Sequence, residues 1–168
     1  MRQDANHGNQ ANLLEELGGI EAWARAECDY AKTGIHASFF LHQERLLAAG
    51  HLLLDRGYFL ECISGIDVEE GIMVAYQFER FDRSERVVLR ILVPHGDKRA
   101  PSLASVYSGA DWHERECFDF YGVTFDGHPN LKPLLLPDDF GEPPLVKEQG
   151  RKSLSAILPM ELLVDAKP

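Results

Sequence analysis

His113, Glu114 and Cys117 stand in the order His-Glu-x-x-Cys within DWHERECFDFYG, residues 111–122. On a helix the His and the Cys lie one turn apart, and both bind zinc. Glu114 is then placed as a general base and His128 as a third ligand, which describes a stand-alone zinc hydrolase with the last motif position altered. Glu116 and Asp119, three residues apart, form a second candidate, a carboxylate pair for acid–base work. Cys117 with His128 is a third, a thiol nucleophile with its base, although no residue is placed to orient the imidazole. Each has a plainer reading. Structural ion pairs also perturb carboxylates. A cysteine in a short helix is more often a small hydrophobe. His36, His42, His51 and His95 are scattered, and neither G-x-G-x-x-G nor G-x-x-x-x-G-K-[ST] occurs.

The element that must carry these groups is short. Asp111 can cap a helix with Glu114 three residues later, a loose capping box, and Gly122 suits the end. At about 100° per residue, Trp112, Glu116, Asp119 and Phe120 share one side, so the two carboxylates lie on the aromatic face. Arg115 is one turn from Asp119 and can pair with it. If that face is buried, each carboxylate needs a donor.

Around this helix the chain reads as α+β. Leu13, Leu14, Leu17, Ile20, Trp23 and Ala24 recur at helical spacing to about Tyr30, with Gly18-Gly19 as a break or kink. IHASFFL (35–41) is a strand and QERLLAAGHLLLDRG an amphipathic helix on Leu46, Leu47, Gly50, Leu53 and Leu54, with Gly57 past its end. Strands follow over 58–67, 71–81 and 86–94, the last two forming a hairpin. The expected fold is a two-layer sandwich, a mixed, mostly antiparallel sheet of about four strands with helices on one face. It occupies residues 1–125, with 1–10 frayed.

Residues 126–168 differ. Seven of the nine prolines lie from Pro129 onward, which forbids a long helix. Yet Leu131, Leu134, Leu135, Leu136, Leu145 and Val146 make this arm too apolar for a free linker; it needs a surface to lie on, in this domain or in another subunit. A charged helix carrying aromatics, followed by such an arm, reads as an interface with a buried aromatic core and charges that set register.

Bulk composition excludes other classes. The net charge of −10 repels a phosphate backbone, so no nucleic-acid partner is expected. Cys28, Cys62 and Cys117 are too dispersed for a disulfide scaffold, a zinc ribbon or an iron–sulfur site, and a reducing cytosol fits. No apolar run reaches membrane-spanning length, and no signal peptide is legible.

The run GADWHERECFDFYGVTFDGHPNLKPLLLPDDF resembles the signature of the 30 kDa subunit family of NADH:quinone oxidoreductase, respiratory complex I. The pattern falls on Asp111, Trp112, Glu114, Arg115, Glu116, Asp119, Gly122, Gly127, His128, Pro129 and Leu131 without a gap. The stretch from 34 to 107, including SGID and PSLASVYSGA, is also similar. The resemblance implies a cofactor-free structural subunit, non-catalytic alone, on the cytoplasmic face of the inner membrane. Its partners would be a hydrogenase-like large subunit near the quinone site and iron–sulfur subunits. NADH, FMN, iron–sulfur clusters and quinone would serve the assembled complex, and the membrane would be met only through it. It places interface contacts at Trp112, Glu114, Arg115, Glu116, Asp119, His128, Pro129 and Lys132, with Phe118 and Phe120 as apolar packing. There are departures. Pro133 follows Lys132 where two basic residues are usual, and in GEPPLVKEQ Val146 and Glu148 replace an Arg and an Asp. The equivalent subunit of a membrane-bound, energy-converting nickel–iron hydrogenase is therefore a second reading.

Overall fold

The computed structural model describes residues 13–137 and 139–157. Residues 13–16 are helical and the helix gives way to a turn before Gly18-Gly19; Leu13, Leu17 and Ile20 are buried. The expected continuation to Tyr30 is replaced by strand β1 (Ala24–Glu27). Tertiary pairing overrides the helical spacing here. β1 runs antiparallel to β2 (Ala37–Leu41), in register Ala24↔Phe40, and Trp23 packs its ring on Phe40 at 4.9 Å. Between them, α1 (Tyr30–Thr33) is capped by Asp29, whose carboxylate accepts from the Ala31 amide.

A 3₁₀ turn (Gln43–Arg45) leads into α2 (Leu46–Asp55), whose buried face is Leu46, Ala49, Gly50 and Leu53. Leu47 and Leu54, expected on that face, are half-exposed. Strands β3 (Tyr58–Val68), β4 (Gly71–Arg80) and β5 (Arg86–Val93) form an antiparallel meander that includes the expected hairpin. β2 then joins β5 in parallel, Phe39 opposite Leu89, giving the order β1-β2-β5-β4-β3. The sheet is mixed and mostly antiparallel as expected, with five strands because β1 takes the place of helix. The sequence pattern also does not reveal a parallel pair, β6 (Arg99–Pro101) with β7 (Thr124–Asp126), which flanks α3 (Ala110–Tyr121) as a small crossover unit.

Alternation along the strands explains the layers. Phe39, Leu41, Val74, Tyr76, Phe78, Leu89 and Ile91 point to the face covered by α2 and α3. Ala24, Phe40 and Met73 point the other way and are covered by Leu154 and Ile157 of a short helix, α4 (Leu154–Ile157).

α3 lies on β3 through one close approach. A Cβ at Gly65 would stand 2.5 Å from the Tyr121 ring, and the Tyr121 hydroxyl donates to the Gly65 carbonyl at 2.6 Å. Gly65→Ala is therefore expected to lower stability by about 1–3 kcal/mol, the usual overpacking cost. Chemical denaturation of the two chains measures it.

Candidate functional site

α3 is capped differently from the sequence expectation. Its N-cap is Gly109, with no side-chain cap bond. The capping box does not form, because Glu114 faces inward rather than back along the helix. Ala110, Glu114, Cys117 and Tyr121 sit at i, i+4, i+7 and i+11 and turn toward the sheet. Gly122, at φ 72°, ends the helix as expected and donates to the Phe118 carbonyl. Trp112 therefore stands on the outer side, 62% exposed, with the Arg115 guanidinium 5.8 Å from its ring centre.

Glu114 is 0% exposed. Its carboxyl accepts from the Ser102 hydroxyl and from the Leu103 amide, each at 2.6 Å, and so ties α3 to the loop after β6. Burial pushes this carboxyl up to about 7; the Ser102 and Leu103 bonds pull against that shift, and the Asp111 charge adds to it. The interface role implied for Glu114 is thus replaced by an internal contact, since a fully buried and bonded side chain has no surface to offer. His128 is similar. Its side chain is fully buried, Nε2 lies 3.1 Å from the Asp111 carbonyl, and Nδ1 accepts from the Asn130 amide. Those two bonds place the ring proton on Nε2.

Arg115 and Asp119 do not pair with each other as expected. Both hold the arm. Arg115 donates to the carbonyls of Lys132 and Pro133 at 2.9 and 3.0 Å. Asp119, 6% exposed, accepts the amides of Leu134, Leu135 and Leu136 on one oxygen at 2.9, 2.7 and 3.1 Å. Two side chains one turn apart thus bind five consecutive backbone units, carbonyls first and amides next. Farther on, the Leu145 amide donates to the Phe120 carbonyl. An open cleft remains between α3 and the arm, lined by Phe118, Leu136, Pro137, Phe140 and Pro143. The outward side keeps Leu135, Phe140 and Leu145 exposed by 60, 49 and 48%. Pro129 and Lys132 are exposed or nearly so, and Glu116 is half-buried.

A second anchor is the last residue of SGID, a stretch to which the sequence reading gave no role. Asp67, at the end of β3, is buried and accepts from the Lys147 amide at 2.7 Å and Arg151 Nε at 2.9 Å, with His95 Nε2 at 2.6 Å from its other oxygen. An acid where an otherwise alternating strand ends was the signal available.

The catalytic readings lose their geometry. Cys117 is buried, and desolvation, followed by the charges of Glu114, Glu116 and Cys62, pushes its thiol up to about 12, far from a ready thiolate. Asp119 is committed to three amides, so it is not half of an acid–base pair. Among the described residues no three His, Cys, Asp or Glu side chains group to hold a metal ion, so the zinc reading has no ligand set.

Comparison with known proteins decides the family. The family model described as the respiratory-chain NADH dehydrogenase 30 kDa subunit matches residues 39–153. The chain belongs to this family. Curated relatives are named as a subunit of NADH-quinone oxidoreductase. The protein of Chloroherpeton thalassium is 34% identical over 113 residues, 66% of this chain and 44% of the relative. That of a Roseiflexus species is 35% identical over 118 residues, 66% of this chain and 68% of the relative. That of Mycolicibacterium gilvum is 36% identical over 108 residues, 60% of this chain and 48% of the relative, so this chain spans about half the length of several relatives it matches. Among solved structures, the trypsin-resistant fragment (1–134) of Nqo5 aligns with a TM-score of 0.58 at 26% identity, covering 72% of this chain and 98% of that one. A chain of the archaeal membrane-bound sulfane sulfur reductase, a respiratory membrane complex, aligns with a TM-score of 0.72 over 95% of both chains. At 17% identity it shows a shared fold. The matched range contains both the Asp67 anchor and the α3 clasp. Among the described residues of this 30 kDa family member, no helix is long and apolar enough to cross a membrane.

Proposed function

We propose that this chain is a structural subunit of the hydrophilic arm of an NADH:quinone oxidoreductase. It would dock through the outer side of α3 and the arm on a hydrogenase-like large subunit near the quinone site, beside iron–sulfur subunits. In this role it supports electron transfer from NADH to quinone, coupled to proton translocation, at the cytoplasmic face of the membrane. FMN, iron–sulfur clusters and the NADH and quinone sites belong to its partners, and the chain alone is non-catalytic. One observation supports this reading above the others. The clasp commits polar groups to fixing an arm that exposes Leu135, Phe140 and Leu145, beside the exposed Trp112 of α3. A protein gains little by ordering an apolar ridge unless something covers it.

The test is affinity purification of the tagged chain from gently solubilised native membranes. A flavin and iron–sulfur NADH module beside a hydrogenase-like large subunit is the expected result. A chain that comes down alone sinks the proposal. Glu116, half-buried on the docking side, gives a residue-level check. Glu116→Ala is expected to reduce co-purification several-fold while changing the chain's own unfolding by less than about 0.5 kcal/mol, as for a surface residue. A loss of several kcal/mol in the isolated chain would make it an internal contact instead.

The departures at Val146 and Glu148 favour one second reading, the equivalent subunit of a membrane-bound, energy-converting nickel–iron hydrogenase. A nickel-containing large subunit without the NADH module in the same purification identifies it.

A further inference from the structure

The arm meets its own domain at two stations of different chemistry. At the first, Asp119 accepts only neutral backbone amides. At the second, the fully buried Asp67 carboxylate takes three donors, and two of them, the Lys147 amide and the Arg151 guanidinium, come from the arm. Without the arm this carboxylate keeps His95 alone, and a buried charge short of donors is costly. Aspartate and arm therefore hold each other. Burial raises the Asp67 carboxyl, but the bonds from His95, Lys147 and Arg151 outweigh it and hold the group below its ordinary range. Past this point the Glu69 amide donates to the Lys152 carbonyl, the Leu154 amide donates to Glu70, and α4 lies on the second face of the sheet. The exposed Phe140 and Leu145 lie between the Asp119 clasp and the Asp67 anchor, and the Leu145 amide is itself bonded to the Phe120 carbonyl. Cutting the Asp67 tie frees the chain just past Leu145 and leaves one backbone bond, from Leu145 to Phe120, to hold that end.

We propose that Asp67 is a latch that seats Lys147–Ile157 on the chain's own sheet before any partner binds. By holding the chain just past Leu145 it secures the Leu145–Phe120 bond and so positions Phe140 and Leu145 for assembly. Asp67 is thus a positioning residue, remote from the docking surface it serves. The assembly half rests on the function proposed above; the latch half does not.

The experiment is limited trypsin digestion of the full 168-residue chain. Asp67→Asn is expected to speed cleavage at Lys147, Arg151 and Lys152 at least tenfold and to leave Lys98 and Arg99 at the wild-type rate. The Lys147 amide proton, shifted downfield by the carboxylate, should move upfield in the same variant. Unchanged cleavage at all three arm sites overturns the latch. Should Asp67→Asn accelerate every site by general unfolding, Lys147→Pro leaves Asp67 in place and removes the donated N–H. A folded Lys147→Pro chain with Arg151 and Lys152 still protected overturns the latch equally. In the purification, Asp67→Asn is expected to bring down several-fold less partner than wild type. An open latch with full partner recovery overturns the positioning role. If wild type itself recovers no partner, the proposed function fails while the digestion still decides the latch.

Discussion

Asp119→Ala is expected to free the arm from α3 while leaving the sheet intact. One carboxylate oxygen accepts three consecutive amides, from Leu134, Leu135 and Leu136. A hydrogen bond to a charged group contributes about 1.5–3 kcal/mol, and the three share one acceptor, so they do not add fully. A local loss of about 3 kcal/mol corresponds to amide exchange faster by two orders of magnitude at those residues. Amides of β4 and β5 should keep wild-type protection, since the Asp119 carboxylate bonds to the arm and not to either strand. Asp119→Asn retains a carbonyl acceptor of the same reach without the charge, and its effect should be intermediate. Hydrogen exchange by mass spectrometry resolves the three cases. Equal acceleration in the arm and the core would mean that Asp119 supports the whole fold, and the clasp would lose its separate identity.

Glu114→Gln is expected to change the shape of the stability–pH curve more than its height at acid pH. The folded carboxyl titrates at about 7, against 4.5 for the ordinary group. Between those values the folded chain binds more protons than the unfolded one, so stability falls as pH rises. The contribution is full below pH 4.5 and is lost as pH passes through about 7. The difference is roughly 3 kcal/mol, from about 1.36 kcal/mol per unit. Glutamine keeps an acceptor for the Leu103 amide and a partner for the Ser102 hydroxyl, and it never ionises. Wild type should therefore lose stability relative to Glu114→Gln from about pH 4.5 to 8, and the two curves should run parallel below that window. Denaturation midpoints across the range decide it. Parallel curves throughout would show that Glu114 titrates normally.

The fold was legible where local pattern and tertiary context agree. Tyr76 and Phe78 alternate on a strand that is a strand, and Gly57 and Gly122 stop helices that end there. It was not legible where they conflict. Ala24–Glu27 continue a helical spacing but are captured by the edge of β2, and periodicity carries no information about which edge is free. The site was half legible. Residue types pointed to α3 and to the arm, and the family signature named Arg115 and Asp119. What α3 does with them was hidden, because a helical wheel gives faces and not which face meets the sheet. The capping pattern puts Glu114 outside, yet Ser102 and Leu103, twelve and eleven residues earlier in PSLASVYSGA, offer it two donors inside. Asp67 stands in SGID, but its role escaped for the same reason. Its donors lie some eighty residues later in the chain, at Lys147 and Arg151.

The parallel pairing of β2 with β5 sets the order in which this protein can be made. β3, β4 and β5 are sequential antiparallel neighbours and close over short turns. β2 has one such partner, β1, but its other edge belongs beside β5, so all of α2, β3 and β4 must be synthesised first. At roughly 5–20 residues per second, β2 waits several seconds outside the ribosome. Every residue of β2 is buried in the finished sheet. Until β5 arrives, Ala37–Leu41 are an unpaired apolar edge with only β1 alongside, the kind of segment that pairs with the wrong chain. The most aggregation-prone moment in the life of this protein thus comes before its arm, and any partner the arm serves, exists.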